Sequence, residues 1–186
     1  MNIAPIDTYT ENSLNIAYKA ANAAGNFSLF LSFDYLSQGS WIADNVTRYI
    51  NTYKDNPSQY HYNGKPLVST FEGVDNKYDW ASIKAATGCF FMPAWTSLYS
   101  TFPTDMVDGA FSWDVWPDGP ENKNATRDQS WKAILGDKPY MMGVSPWFYA
   151  NVPEWSKNWL WRGDDLWHDR WQQVIELQPE LVEVGS

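Results

Sequence analysis

Apolar residues recur along the chain at two alternating spacings, one typical of helices and one of buried strands. Leu14, Tyr18 and Ala21 follow the i, i+4, i+7 spacing of an amphipathic helix that ends at Gly25. The run 27–33 is then almost continuously apolar, as expected of a strand buried on both faces. The chain therefore opens with a predicted helix followed by a predicted strand.

The same alternation continues to the end of the chain. Further helices are predicted at 42–53, 80–86, 126–135 and 164–178, and further strands at 66–71, 89–92, 109–113, 140–144 and 181–184. In the last helix the apolar face is predicted to consist of Trp167, Trp171, Val174 and Ile175. Repeated strand-then-helix units with right-handed crossovers build a parallel sheet, so we expect one α/β domain over residues 1–186.

Such a sheet is either open and doubly wound or part of a closed barrel. A complete (β/α)₈ barrel takes about 250 residues, and this chain has 186. The open alternative usually carries a glycine-rich phosphate loop, and neither G-x-G-x-x-G nor G-x-x-x-x-G-K-[ST] occurs in the sequence. The sequence therefore lacks the main feature expected of a nucleotide-binding sheet. Part of a (β/α)₈ barrel stays an alternative.

Charge and cysteine content exclude several classes of partner. Thirteen Lys and Arg against 22 Asp and Glu give a net charge of −9, which would repel a polyphosphate backbone. No apolar run is long enough to span a bilayer. The single cysteine, Cys89, and the two histidines, His61 and His168, are too few for a Cys/His zinc site. We therefore expect no nucleic acid, no membrane, no metal and no cofactor.

Aromatic residues are the unusual feature of the composition. The chain has 12 Trp, 11 Tyr and 9 Phe, or 17% of its residues. Many of these rings are expected to pack in the core. However, Trp and Tyr join a flat apolar face to a polar edge, which matches the apolar faces and hydroxyl rims of sugar rings. An acidic, tryptophan-rich protein therefore suggests a carbohydrate partner.

Polar and aromatic residues follow the predicted strands, where (β/α)₈ barrels carry their reactive groups. Taken singly, each carboxylate at such a position is more typical of a turn or a helix cap. Several strands that end in Asp or Glu beside Trp or Tyr favour a sugar-binding cleft instead. The predicted substrate-contacting residues are Asp34, Glu72, Trp95, Asp114, Trp116 and Trp147.

Several of these strand ends match one family in order along the whole chain. The matching strings are Leu-Ser-Phe-Asp-Tyr at 31–35, Lys-Pro-Leu-Val-Ser-Thr-Phe-Glu-Gly at 65–73, Ala-Trp-Thr-Ser-Leu at 94–98, Gly-Ala-Phe-Ser-Trp-Asp at 109–114, Val-Ser-Pro-Trp-Phe-Tyr at 144–149, and Trp-Arg-Gly-Asp-Asp-Leu-Trp at 161–167. In these strings the sequence resembles glycoside hydrolase family 71, the fungal α-1,3-glucanases or mutanases.

The resemblance implies a secreted (β/α)₈ barrel that hydrolyses the α-1,3-glucan of fungal cell walls. It places Asn2, Ile3 and Ala4 at the end of the second barrel strand, so the first strand and helix have no counterpart in the sequence, and no signal peptide is present. Asp7 then falls near an aspartate of the family's active site, which adds it to the substrate-contacting set.

The same resemblance leaves the catalytic residues of this chain unassigned. The family's Asp and Glu lie in a Trp-Asn-Asp-Tyr-Gly-Glu-Ser string after the last strand, and this string has no counterpart up to Ser186, two residues beyond Val184. The alternatives are therefore an α-1,3-glucan hydrolase represented by an incomplete barrel, or a non-catalytic α-glucan-binding protein or inactive fragment.

Overall fold

The computed structural model describes residues 1–95, 101–117, 122–149, 159–160 and 165–185. Its contacts group the chain into two compact units, Met1–Gly109 and Ala110–Ser186. Each unit contains parallel strands that alternate with helices, as the hydrophobic spacing predicts. The assignment of residues 1–186 to one domain stays a prediction. No helix in the described ranges is both long and apolar enough to cross a membrane.

The first unit is built on four parallel strands that neighbour one another in chain order. The elements of this unit are β1 (Asn2–Ile3), α1 (Thr10–Ala24), β2 (Leu31–Asp34), α2 (Ala43–Tyr53), β3 (His61–Tyr62), β4 (Lys65–Phe71), a 3₁₀ turn (Val74–Asn76), α3 (Asp79–Thr87) and β5 (Phe90–Phe91). Strands β1, β2, β4 and β5 pair successively in parallel, and β3 adds an antiparallel partner at the start of β4.

Aromatic side chains fill the layer between this sheet and its helices. Phe33 of β2 meets Trp41 edge to face at 5.2 Å between ring centroids, and Trp41 meets Tyr49 of α2 at 5.6 Å. Trp80 of α3 stacks on Phe91 of β5 at 3.5 Å. These contacts define the helix face of the sheet, the side against which the helices pack.

The second unit has the same construction with three parallel strands. The elements of this unit are β6 (Ala110–Ser112), α4 (Thr126–Leu135), β7 (Tyr140–Val144), β8 (Phe148–Tyr149), β9 (Trp159–Leu160), α5 (Asp165–Leu177) and β10 (Leu181–Val184). Strand β7 pairs in parallel with β6 on one side and with β10 on the other, and β8 and β9 form a separate antiparallel pair.

Helix α5 buries a different face from the predicted one. Leu166 and Arg170 are its buried residues, whereas Ile175 is 60% exposed and His168 lies on the surface. The apolar pattern was misleading because the helix docks through a charged residue. Trp167 and Trp171 contact each other edge to face along the partly exposed side. Asp164, placed by the sequence at the helix start, is outside the described residues.

A buried ion pair explains why an arginine lies under α5. The Arg170 guanidinium, fully buried, donates to Asp128 Oδ2 of α4 at 2.9 Å and to the carbonyl of Gly143 on β7 at 2.7 Å. The hydroxyl of Tyr140 donates to Asp128 Oδ1 at 2.7 Å, and Gln173 Oε1 accepts a further bond from Arg170. The network thus ties α4, α5 and β7 together.

We predict that Asp128→Ala lowers the free energy of unfolding by about 3–5 kcal/mol, because it leaves the Arg170 charge buried without its counter-ion. The matched control is Glu11→Ala, which breaks an ion pair to Arg48 whose side chains are 62% and 52% exposed. This control should cost no more than about 1 kcal/mol. Equal losses for the two variants in urea unfolding would contradict a structural role for the buried pair.

Candidate functional site

The carboxyl ends of the first unit's parallel strands bring several predicted site residues to one edge of the sheet. Asp34 ends β2, Glu72 follows β4, Trp95 follows β5, and Asp7 lies in the loop after β1. The edge is continued by backbone bonds, since the Glu72 amide donates to the Ala94 carbonyl at 3.0 Å. Parallel pairing therefore places these four predicted residues at one edge of the sheet.

Asp34 accepts four hydrogen bonds through its side chain. Its Oδ1 accepts the backbone amides of Leu36 and Ser37 at 2.8 and 2.9 Å, and its Oδ2 accepts the Ser37 hydroxyl and the Asn2 side-chain amide. Burial alone would disfavour the charged carboxylate, but these bonds outweigh it and hold the pKa of Asp34 below its usual value. Asp34 thereby fixes the loop that follows β2.

Asn2 is a site-edge residue that the sequence analysis missed. It is in register with Ser32, and the Ser32 hydroxyl donates to Asn2 Oδ1 at 3.1 Å while Asn2 donates to Asp34. Because Phe33 points to the helix face, these three polar side chains share the opposite face of the sheet. Only the register between β1 and β2 reveals this grouping, since the residues are 30 or more positions apart in the chain.

Glu72 and Gly73 adopt left-handed backbone conformations directly after β4, with φ of 54° and 95°. For glutamate this is an uncommon conformation, and such strain concentrates where a protein must aim a side chain or turn sharply. The ring of Tyr35 packs against Gly73, so that a Cβ atom at position 73 would lie 2.5 Å from Tyr35 Cγ. Glycine is required here for both reasons.

Trp95 and Asp7 differ strongly in exposure. Trp95 is fully buried and packs against Phe91 and Phe102 at ring-centroid distances of 5.5 and 5.9 Å. Asp7 is partly exposed and accepts hydrogen bonds from the Tyr9 hydroxyl and from the side-chain amide of Gln38 in the loop after β2. Asp7 is therefore accessible to a ligand at this edge, whereas Trp95 supports the edge from within.

The second unit has its own carboxyl edge, and there Asp114 faces the helices. Ala110 and Ser112 are in register with Tyr140 and Met142, and Tyr140 reaches Asp128 of α4. Asp114 continues this helix face and pairs with Lys123 Nζ at 2.5 Å and with Arg127 of α4 at 3.0 Å. The carboxylate thus joins the end of β6 to the start of α4, and a substrate contact by Asp114 stays a prediction.

An aromatic cluster forms the rest of this edge, and we name it the aromatic edge: Trp113, Trp116, Trp147 and Phe148. Trp116 Nε1 donates to the Trp147 carbonyl at 2.7 Å, and its ring lies 4.4 Å from Phe148 and 5.9 Å from Trp113. Trp147 is 44% exposed. Two predicted residues, Trp116 and Trp147, are therefore together, and Trp113 joins them although the sequence analysis did not select it.

Glu183 is the third residue that sequence reasoning missed, after Asn2 and Trp113. It lies on β10 in register with Gly143, and its Oε2 is buried with no hydrogen-bond partner in the described part of the chain. Burial raises its pKa from 4.5 to about 7. A single Glu within an apolar strand can be recognised in the sequence as a candidate functional carboxyl. However, the pattern Leu-Val-Glu-Val is equally typical of an edge strand.

Metal ligation is not supported by the arrangement of side chains. The described residues contain no group of three or more His, Cys, Asp or Glu able to hold a metal ion. Cys89 is buried, and burial raises the pKa of its thiol, which disfavours the reactive thiolate. The side chains described at the two edges are carboxylates, amides, hydroxyls, basic groups and aromatic rings.

We predict that Gly73→Ala destabilises the protein more than Gly88→Ala does. Both glycines have positive φ, 95° and 73°, but the space around position 88 is empty within 4 Å. The Gly88 variant should therefore lose about 1 kcal/mol for backbone strain alone. The Gly73 variant should lose about 1–3 kcal/mol more because Tyr35 must move. Thermal unfolding of both variants measures the difference, and equal losses would contradict the close approach.

We predict a pH-dependent stability effect of Glu183. Because its pKa is raised in the folded state, the folded protein binds more protons than the unfolded chain between about pH 4.5 and 7. Stability of the wild type relative to Glu183→Gln should therefore fall as pH rises through this window. Denaturant titrations at pH 4.5, 6 and 7.5 measure it; a difference that stays constant or rises would contradict the burial of a protonatable carboxyl.

Comparisons with known proteins agree with this architecture. The whole chain is similar in fold to a GH99 endo-alpha-mannosidase from Bacteroides thetaiotaomicron, with a TM-score of 0.75, 16% identity and 60% of that chain covered. This likeness confirms the predicted fold class, a (β/α)₈ barrel of which the chain represents a part.

Sequence relatives identify the family. The chain is 35% identical over its full length to a mutanase of Penicillium rubens, and 32% identical over 96% of its length to the glucan endo-1,3-alpha-glucosidase agn1 of Schizosaccharomyces pombe. It spans 43% and 45% of the lengths of these two relatives. The model of Glycosyl hydrolase family 71 matches residues 1–186. The chain therefore belongs to glycosyl hydrolase family 71.

Proposed function

We propose that the protein is part of an enzyme that hydrolyses α-1,3-glucosidic bonds in α-1,3-glucan. The observation that carries this proposal is the family match over residues 1–186, together with two relatives whose names specify a mutanase and an endo-1,3-alpha-glucosidase. The partner implied is a polysaccharide, and the parent protein is proposed to act outside the cell, at walls that contain this polymer. Release of the parent into culture medium, compared with the cell fraction, tests the location.

The geometry of the two edges supports a polysaccharide as the ligand. The first unit presents Asp7 and the polar group of Asn2, Ser32 and Asp34, which can bond sugar hydroxyls directly or hold the loop that does so. The second presents the aromatic edge, on which a sugar ring can stack. Each edge therefore offers, by itself, a kind of contact that proteins make with sugars.

The chemical step requires two carboxyl groups, one as general acid and one as base or nucleophile. Asp34 and Asp114 are poor candidates, because both already hold structural partners: the loop amides for Asp34, and Lys123 and Arg127 for Asp114. Under this proposal residues 1–186 bind and orient the glucan. The acid pair is then the one that the family resemblance places beyond Val184.

The second candidate function is glucan binding without hydrolysis. It is favoured by the commitment of the Asp34 and Asp114 carboxylates to structural partners while the aromatic edge keeps Trp147 exposed. The two functions predict the same affinity for the polymer and differ only in turnover.

We predict that the parent protein binds insoluble α-1,3-glucan and releases reducing sugar from it. Binding is measured by depletion from solution, and hydrolysis by reducing ends, with β-1,3-glucan and amylose as control polymers. Binding with no release would support the second candidate. If the protein binds α-1,3-glucan neither as the polymer nor as oligomers, both candidate functions are contradicted.

Two matched variants test whether the aromatic edge binds the polymer. Trp147→Ala removes an exposed ring that stacking would use, and it should weaken binding about tenfold or more, by analogy with the roughly 1–3 kcal/mol that a nucleobase gains by stacking on an aromatic side chain. Ile175→Ala removes a side chain 60% exposed on α5 and should leave binding unchanged. Equal affinities of the two variants would contradict a role for the aromatic edge in binding the polymer.

A further inference from the structure

Glu183 occupies an unusual place for a carboxylate. It lies in β10, where Leu181, Val182, Glu183 and Val184 pair in register with β7. Its neighbour across the ladder is Gly143, whose carbonyl accepts the Arg170 guanidinium. Strand alternation places Glu183 and Gly143 on the face opposite to Tyr140, and therefore away from α4.

The aromatic edge shares that face. Ser112 is in register with Met142 on the helix face, so Phe111 and Trp113 point the other way, and their rings contact edge to face at 5.7 Å. The Trp113 ring lies near the end of β10, since a Cβ atom added at Gly185 would be 3.9 Å from Trp113 Cη2. Glu183 thus lies two residues before the glycine that is next to the Trp113 ring.

The carboxyl group of Glu183 also lacks what the buried carboxylate of Asp128 has. Both oxygens of Asp128 accept hydrogen bonds, from Tyr140 and from Arg170, whereas Oε2 of Glu183 has no hydrogen-bond partner among the residues described. An unsatisfied buried polar group costs stability, so its retention calls for a role that the folded chain alone does not reveal. Groups with a raised pKa in such places are candidates for functional sites.

We propose that Glu183 is a substrate-contacting residue that hydrogen-bonds a sugar hydroxyl of the glucan chain held at the aromatic edge. This inference rests on the proposed function and adds a polar contact to the aromatic surface. A carboxyl beside aromatic rings is the combination that binds a sugar, because the rings cover its apolar face and the carboxyl bonds a hydroxyl at its rim.

Three variants at position 183 separate contact from packing. Glu183→Met removes the polar atoms at similar volume, Glu183→Gln keeps a donor and an acceptor at the same reach, and Glu183→Asp keeps the carboxyl but withdraws it by one methylene. The control is Glu176→Gln, on the exposed surface of α5. Apparent Kd for α-1,3-linked glucose oligomers is measured by calorimetry, and thermal unfolding is recorded for each variant.

We expect Kd to rise about tenfold in Glu183→Met and Glu183→Asp, the loss typical of one hydrogen bond, and to change less than about threefold in Glu183→Gln and the control. The melting temperature of Glu183→Met should equal or exceed that of the wild type, because the variant removes an unsatisfied polar group. A structural role would instead lower the melting temperature and leave Kd unchanged, and this result would overturn the inference.

The failures of the two proposals are distinguishable. If the wild type binds the oligomers and all four variants bind equally well, the inference about Glu183 fails and the proposed function stands. If the wild type binds no α-1,3-linked oligomer, both fail. Should Glu183→Met not fold, the comparison of Glu183→Asp with Glu183→Gln decides: a tenfold difference supports the contact, and equal Kd values refute it.

Discussion

Parallel backbone pairing is the constraint on which the rest of this structure depends. When successive strands hydrogen-bond in parallel, each must return by a helix, and all carboxyl ends come to one edge. In the first unit this brings the ends of β1, β2, β4 and β5 together, and in the second those of β6, β7 and β10. Residues far apart in sequence, such as Asn2 and Asp34, become partners only because the register aligns them.

Polar groups at these edges divide into those that hold the scaffold and those left without partners. Asp34 holds its loop, Asp114 joins β6 to α4, and Asp128 neutralises Arg170 between two helices and a strand. Glu183, by contrast, has an unsatisfied oxygen in the described part of the chain. That oxygen, on the same face of the sheet as the aromatic edge, is the reason for proposing Glu183 as a ligand contact.

Much of the fold could be predicted from hydrophobic spacing, because buried strands and amphipathic helices have distinct periods. The helix at 126–135 and the strands at 140–144 and 181–184 match the structure residue for residue. The short hairpin between β3 and β4 was missed, although Asn63 and Gly64 with φ of 49° and 75° form its turn. The buried face of α5 was also wrong, because a satisfied ion pair can replace apolar contacts and leaves no hydrophobic signal.

The site was only partly predictable, for the same physical reason. Position after a strand indicates which edge a residue occupies, and Asp7, Asp34, Glu72, Trp95, Asp114, Trp116 and Trp147 do follow strands. It does not indicate the face, which alternates with every residue. Asp114 therefore faces α4, while its neighbour Trp113 faces the opposite side, and Trp95 is buried in the core. Their substrate contacts remain predictions.

The central claim is that glucan binds at the carboxyl edges of the parallel strands. Hydrogen–deuterium exchange with and without an α-1,3-linked glucose oligomer tests it most directly, because it reports on every segment at once. The account predicts slower exchange of backbone amides at 35–38, 72–73, 113–116 and 145–149 when the oligomer is present. Exchange should not change at the β3–β4 hairpin of residues 61–66, which lies at the opposite end of β4. Protection confined to the hairpin, or absent from all four segments, would contradict it.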